Sequence, residues 1–357
     1  MYMRTMPALW ITVLLLCAPS LEAVTSDERS PTAKRELIVL NWSEYLDPEL
    51  VEDFENEFDV EVRELYFASD DLRDTMMLEM GGTGYDVVLV SGVNIDAYRR
   101  RGWLAPLVRD EIPALEFVDS KWFDIFPRSQ GYAIPYFWGT LGIAYRKDML
   151  PKPITSWREL YDPAPYLRGK ISIIGSSRDA IGMALKTLGY SANSSDKAQL
   201  REAEQLLLTQ KPFVTTYNYL GLTEESAMVT GDIVAAMVYS GDALMLRQHH
   251  PDIEYAVPAE GGNLWVDYWT VMEASKNKDL AKAFLNYLNE PENAAALAEY
   301  VSYATPNKAA ERLMPEEFLS DPVIYPSPAV LEKSEPYTQL SPRAEKMRNL
   351  MITRLID

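Results

Sequence analysis

The sequence predicts an α/β protein with two lobes and a cleft between them. Short apolar runs alternate with segments of helical period, the pattern of βαβ units and a mostly parallel sheet. The runs are apolar throughout, as in strands covered on both faces. Two long extended stretches, residues 136–145 and 264–272, contain or follow small residues and read as crossings between one α/β set and another.

The elements follow in order. Leu37-Ile38-Val39-Leu40 is a buried strand that opens into Asn41-Trp42-Ser43-Glu44-Tyr45. Asp47-Pro48 supplies a helix cap and a first-turn proline, and Leu50, Val51, Phe54 and Phe58 share one helical face. Residues 60–66 alternate as a strand does. Residues 70–80 read as a helix stopped by Gly81-Gly82, and 85–90 as a strand ending in Ser91-Gly92. Residues 102–135 are irregular. Beyond the first crossing, 170–174 reads as a strand, 180–188 and 196–208 as helices, and 233–239 and 253–258 as strands. Gly261-Gly262 precedes the return crossing. Residues 279–288 and 291–300 are helical, and a proline-spaced tail ends in a helix from Ala344.

Composition narrows the class. The 357 residues are 47% hydrophobic, enough for more than one domain-sized unit. Arg4, an apolar run over residues 8–17 and small residues up to Ala23 form a secretory signal peptide by layout. Cys17 follows Leu16, which is too large for the usual lipoprotein signal. Without Cys17 the mature chain holds no cysteine and no disulfide. The net charge of −19 argues against nucleic acid or anionic lipid as partner and favours cations.

The chemistry gathers at strand ends, where ligands sit in open α/β sheets. Trp42, Ser43, Glu44 and Tyr45 follow the first strand, and Ser91 and Asn94 the third. In the second lobe Ser176, Ser177, Arg178 and Asp179 follow one strand, and Tyr239, Ser240 and Asp242 another. The return crossing adds Trp265 and Asp267. The recurring unit is an aromatic beside a carboxylate. Aliphatic amines are fully charged at neutral pH. A carboxylate gives each ammonium a charge-assisted hydrogen bond, and aromatic faces cover methylenes and add cation–π attraction. An oligo-cation therefore suits this set. Each residue also has a plainer role open to it. Trp42 and Tyr45 could pack a core, Glu44 could be a solvated loop acid, Asp179 could cap a helix, Asp242 could serve a turn, and Asp267 could sit on an edge strand. Metal-ligand clusters, phosphate loops and hydrolase motifs are absent from the sequence, and His249-His250 is its only histidine pair. An exported hydrolase using the carboxylates is the rival from another class.

These residues resemble those of the bacterial periplasmic polyamine-binding proteins of ABC importers. The resemblance rests on Asn41-Trp42-Ser43-Glu44-Tyr45, Tyr85-Asp86-Val87-Val88 with Ser91, and Ile134-Pro135-Tyr136-Phe137-Trp138-Gly139. It extends through residues 183–190, Glu260-Gly261-Gly262 with Trp265 and Asp267, and Tyr303-Ala304-Thr305-Pro306-Asn307. It implies a type II periplasmic-binding-protein fold, two α/β lobes with mixed sheets joined by a hinge. It implies a periplasmic protein that is no enzyme, needs no cofactor or metal, and acts as a monomer. The ligand would be a polyamine of the spermidine, norspermidine or putrescine class. The partner would be a membrane ABC permease or, in some relatives, a membrane sensor. Trp42, Ser43, Glu44, Tyr45 and Ser91 would line the first lobe, and Asp179, Tyr239 and Asp242 the second. Trp265 and Asp267 would lie near the hinge, with Asp267 holding an amine. Tyr303 matches a late aromatic, and Gln339 is the candidate for a tail glutamine. Ser176, Val93 and Tyr239 depart from the spermidine pattern, and Asp242 looks like the putrescine branch. The implied division is signal peptide 1–23, mobile leader 24–35, first lobe 36–142 and 262–305, and second lobe 143–261 and 306–357.

Overall fold

Each apolar run read as a strand becomes one in the computed structural model of the chain. The structure describes residues 34–356, so the signal peptide, Cys17 and leader residues 24–33 lie outside the described residues. The strands are β1 (Arg35–Asn41), β2 (Val60–Tyr66), β3 (Val87–Ser91), β4 (Ala133–Arg146), β5 (Ile171–Ser172), β6 (Val214–Thr216), β7 (Ala235–Tyr239), β8 (Ile253–Ala256) and β9 (Leu264–Val271). Arg35 was expected in the leader but opens β1. The three-residue β6 is the one strand the pattern missed, too short to show a period.

The first sheet runs β2-β1-β3-β9-β4. Here β1 is parallel to β2 and β3, while β9 runs antiparallel between β3 and β4. The second sheet begins on the far half of β4. Residues 141–145 of β4 pair with β7 on one edge and 143–146 with β8 on the other, and β5 and β6 extend beyond β7. All fourteen residues of β4 are buried, because this one strand serves both sheets and is covered throughout. Helices cover the sheets. In the helix Pro48–Phe58, Asp47 accepts from the Glu49 amide at 3.0 Å and Phe54 enters the core beside Trp269 and Phe284. In the second lobe Trp157, Tyr161 and Leu185 form the equivalent core.

The lobes join through three adjacent segments. The Leu141 amide donates to Asn263 O at 2.9 Å, the Leu264 amide to Glu335 O at 3.0 Å, and the Glu335 amide to Gly262 O at 3.0 Å. The third segment lies later than expected. Residues 306–357 were assigned to the second lobe, yet Met314, Val323 and Ile324 bury in cores of the first. Only from Tyr337 on, with Met351 and Leu355, does the tail pack with the second. The proline-spaced stretch carries its own apolar residues, and they take the nearest core.

Glycine is required at this junction by close approach. A Cβ on Gly262 would lie 2.0 Å from Leu141 O, and one on Gly261 would lie 2.1 Å from Lys333 O at a φ of +82°. Both obstacles are backbone atoms of neighbouring crossings. Gly262→Ala is therefore expected to destabilise the protein by about 2 kcal/mol or more. An unchanged midpoint in thermal unfolding would show that the crossings can separate at no cost.

Candidate ligand-binding site

The first wall forms where β3 ends at Ser91 against the middle of β9. Ser91 and Asp267 are register partners in that pair, so both side chains emerge together. Asp267 is buried, 7% exposed. Its carboxylate accepts from the Tyr45 hydroxyl at 3.2 Å and from the Ser91 hydroxyl at 3.3 Å. Burial, and then the charge of Asp70, pushes the Asp267 carboxyl up to about 7. Asp70 arrives from the helix Asp70–Glu79, whose N-terminus is capped by Ser69. Both of its carboxylate oxygens lie 2.9 Å from Ser91 Oγ.

The second wall is built on Asp179, at the start of the helix Asp179–Thr187, and is 3% exposed. Three hydroxyls point at its carboxylate: Ser176 at 2.7 Å, Tyr337 at 2.8 Å and Tyr239 at 3.3 Å. Burial raises this carboxyl and the three hydroxyls oppose the rise. Asp242 stands in the first turn of the helix Ser240–His249, half-buried, and burial pushes it up to about 6.

Aromatic rings link the walls. Tyr239 meets Trp265 edge-on at 6.3 Å, Trp265 meets Tyr303 at 4.8 Å, and Tyr303 meets Tyr45 at 5.8 Å. Tyr45, Ser91, Asp179, Tyr239, Asp242, Trp265, Asp267 and Tyr303 are thus gathered by hydrogen bonds, ring contacts or, for Asp242, its charge acting on the Tyr303 phenol after the larger effect of burial. Trp42 is half-buried against Phe67 at 4.4 Å. Ser43 and Glu44 are exposed on the loop, where Glu44 takes the left-handed φ of 58°. Gln339 is exposed and accepts from Arg100 at 2.6 Å, a contact between the lobes rather than with the gathered set.

Three residues escaped the sequence reading. Asp70 opens the helix after β2, and an acid in a first helical turn carries no sign in the sequence of a role beyond that turn. Tyr337 lies two residues before Gln339 and is the tail residue that reaches Asp179. Tyr219 is half-exposed, and its phenol is raised by burial first and then by the carboxylates of Asp179, Asp70 and Asp242. A tyrosine in a loop without period gives no signal in one sequence.

The chemical consequence is an imbalance. Among the described residues no lysine or arginine forms an ion pair with Asp179, Asp242 or Asp267. Among the described residues the side-chain hydrogen bonds to the Asp179 and Asp267 carboxylates come from hydroxyls, and Arg178 and Arg73 act on them only through their charge. Buried carboxylates without a cation are unfavourable, so the site is suited to a cationic guest. One other group, Asp148, His250 and Asp252, brings three potential metal-ligand atoms within 4.8 Å. Its carboxylates already pair with Arg146 and Lys147.

Two lobes on one shared strand, with polar groups converging between them, define a solute-binding protein. The chain matches the family described as bacterial extracellular solute-binding protein over residues 49–325, and it belongs to that family. It is a binding protein and not an enzyme, which sets the hydrolase alternative aside. It is 34% identical to the norspermidine sensor of Vibrio cholerae, over 81% of this chain and 80% of that protein. It is 29% identical to the spermidine/putrescine-binding periplasmic protein of Salmonella typhimurium, over 84% of this chain and 85% of that one. Among solved structures, the spermidine/putrescine ABC transporter substrate-binding protein of Streptococcus pneumoniae is 30% identical with a TM-score of 0.81, covering 90% of this chain and 98% of its own. The resemblance read from the motifs therefore holds. Among the described residues no helix is long and apolar enough to cross a membrane.

Proposed function

We propose that the chain captures a protonated polyamine between its lobes, closes on it and presents the loaded form at the outer face of a bacterial membrane. The observation that carries this reading is the pair of buried carboxylates, Asp179 and Asp267, held at opposite ends of a row of aromatic rings with hydroxyl partners only. Ammonium groups pair with the carboxylates. The methylenes between them lie on Trp265, Tyr303 and Tyr239, where cation–π attraction adds about 0.5–2 kcal/mol per contact. Asp242 offers a third anion part-way along, which suits an internal amine. Trp42, Ser43 and Glu44 are the open rim of the same wall, and Gln339 acts in the contact that holds the lobes together. The first lobe comprises residues 35–140 and 264–333 in this division, and the second 141–262 and 335–356.

The names of the relatives support a polyamine as the ligand and an ABC transporter as the partner; in this reading the chain acts as a monomer that delivers the solute from the periplasm. The 34% identical relative is named a norspermidine sensor. That match favours a second reading, in which the closed form is presented to a membrane signalling receptor.

A thermal-shift screen with putrescine, cadaverine, spermidine, norspermidine and spermine tests the ligand class. A ligand that binds only the folded state, at a hundred times its dissociation constant, stabilises by about 2.7 kcal/mol. At least one of the five is expected to raise the melting temperature by several degrees. A flat response to all five would refute the reading.

A further inference from the structure

The first wall contains a charge that the proposed function leaves unused. Arg73, one turn into the helix behind Ser91, is completely buried in a wall assigned to a cation. A buried guanidinium is unfavourable unless it is paired, and each of the three nitrogens of this one has a partner. Nη1 donates to Asp70 Oδ1 at 2.5 Å and Nη2 to Asp74 Oδ1 at 2.9 Å. Nε donates to Asp74 Oδ1 at 3.2 Å and to the Tyr98 hydroxyl at 3.3 Å. Tyr98 in turn donates to Asp74 at 2.7 Å. The rings of Phe67 and Tyr98 flank the guanidinium at 5.4 and 5.9 Å.

This frame decides where Asp70 stands. With one oxygen tied to Arg73, its carboxylate is turned so that both oxygens face Ser91 Oγ at 2.9 Å. Ser91 Oγ is also 3.3 Å from Asp267 Oδ1. One hydroxyl has one proton and cannot donate to both carboxylates. Two acids around one hydroxyl leave more acceptors than donors. A primary ammonium carries three N–H donors on one compact charge, which matches two carboxylates and a hydroxyl oxygen.

We propose that Asp70 and Asp267 form a two-carboxylate pincer for one primary ammonium, joined by Ser91, and that Arg73 is the positioning residue that holds Asp70 in it. This rests on the polyamine reading and names the group at one end of the ligand. The charged and titratable groups facing the pincer are Arg73 and Asp74 behind it, the phenols of Tyr45, Tyr303 and Tyr268 around it, and those of Tyr219 and Tyr239 across from Asp70. After burial, the two charges acting on the Asp267 carboxyl are Asp70, which raises it, and Arg73, which lowers it.

The test is calorimetric titration of wild type and variants, using whichever of the five named amines gives the largest thermal shift, from about pH 6 to about pH 9. Asp70→Asn keeps the shape and is expected to weaken binding about tenfold or more. Arg73→Gln is expected to weaken binding and to move upward the pH at which affinity has fallen by half. Arg73→Lys is expected to restore that midpoint. Asp74→Asn removes a competing anion behind the guanidinium and is expected to move the midpoint downward, so the role of Arg73 is decided even if Arg73→Gln does not fold. Asp70→Asn at wild-type affinity would overturn the pincer. An Asp74→Asn midpoint that stays put or rises would overturn the positioning role. Wild-type protein that binds none of the five amines would instead overturn the polyamine reading itself.

Discussion

Asp267→Asn is expected to lose about a hundredfold in polyamine affinity while its ligand-free form melts higher than wild type above pH 7. The two effects have one cause. In the folded protein the Asp267 carboxyl is raised to about 7, chiefly by burial, from the ordinary aspartate value of 3.8. Between those values the folded state holds a proton that the unfolded state has released. Stability therefore falls as pH rises through this window, and above about 7 the folded protein carries the whole cost of a buried charge. At about 1.4 kcal/mol per unit, relief of that cost is worth on the order of 2–4 kcal/mol. Asparagine keeps an acceptor for Tyr45 and adds a donor toward Ser91 and Asp70, so it fits the wall without the charge. The gain should shrink as pH approaches 4, where the wild-type group is neutral in both states. Ser91→Ala removes one hydroxyl and should cost far less affinity. Thermal unfolding at pH 8 and pH 5 with calorimetry at pH 8 checks both halves. Equal melting temperatures together with wild-type affinity would remove Asp267 from the site.

The affinity of wild-type protein is expected to fall about a thousandfold between pH 8 and pH 5. The amines stay charged throughout, with pKa values near 10, so the change belongs to the protein. A bound ammonium requires ionised carboxylates. Asp267, raised to about 7, and Asp242, raised to about 6, must each release a proton before pairing. At pH 5 this costs factors of about one hundred and about ten. Asp179, also raised by burial, acts in the same direction. Binding at pH 6 should release protons, visible as a dependence of the calorimetric heat on buffer ionisation. An affinity that is flat from pH 8 to pH 5 would mean that these acids do not touch the ligand. The imbalance that makes the site receptive to a cation is the same one that makes it sensitive to acid.

The local pattern of the chain determined most of the scaffold. Apolar runs at 37–40, 85–90 and 233–239, the Asp47-Pro48 helix start and the long stretch at 136–145 each carry their information in neighbouring residues. Each appears in the structure as read. So does the placing of Tyr45, Ser91 and Asp179 beyond strand ends and of Asp267 within the return crossing, because a strand that buries its body must expose its terminus to whatever lies beyond the sheet. The tertiary structure alone decided which of those ends meet. Ser91 and Asp267 are 176 residues apart, and the antiparallel register of β9 on β3 brings them together. Asp70 joins them through a buried arginine that sequence alone cannot tell from an exposed one. Tyr337, two residues before the expected Gln339, is the tail residue that meets Asp179, because the third crossing falls at Ser334-Glu335, a position chosen by where Met314, Val323 and Ile324 find a core. Periodicity reports that a face is buried. Which surface buries it is settled by long-range packing, and in this protein the geometry of the proposed amine site is a product of that packing.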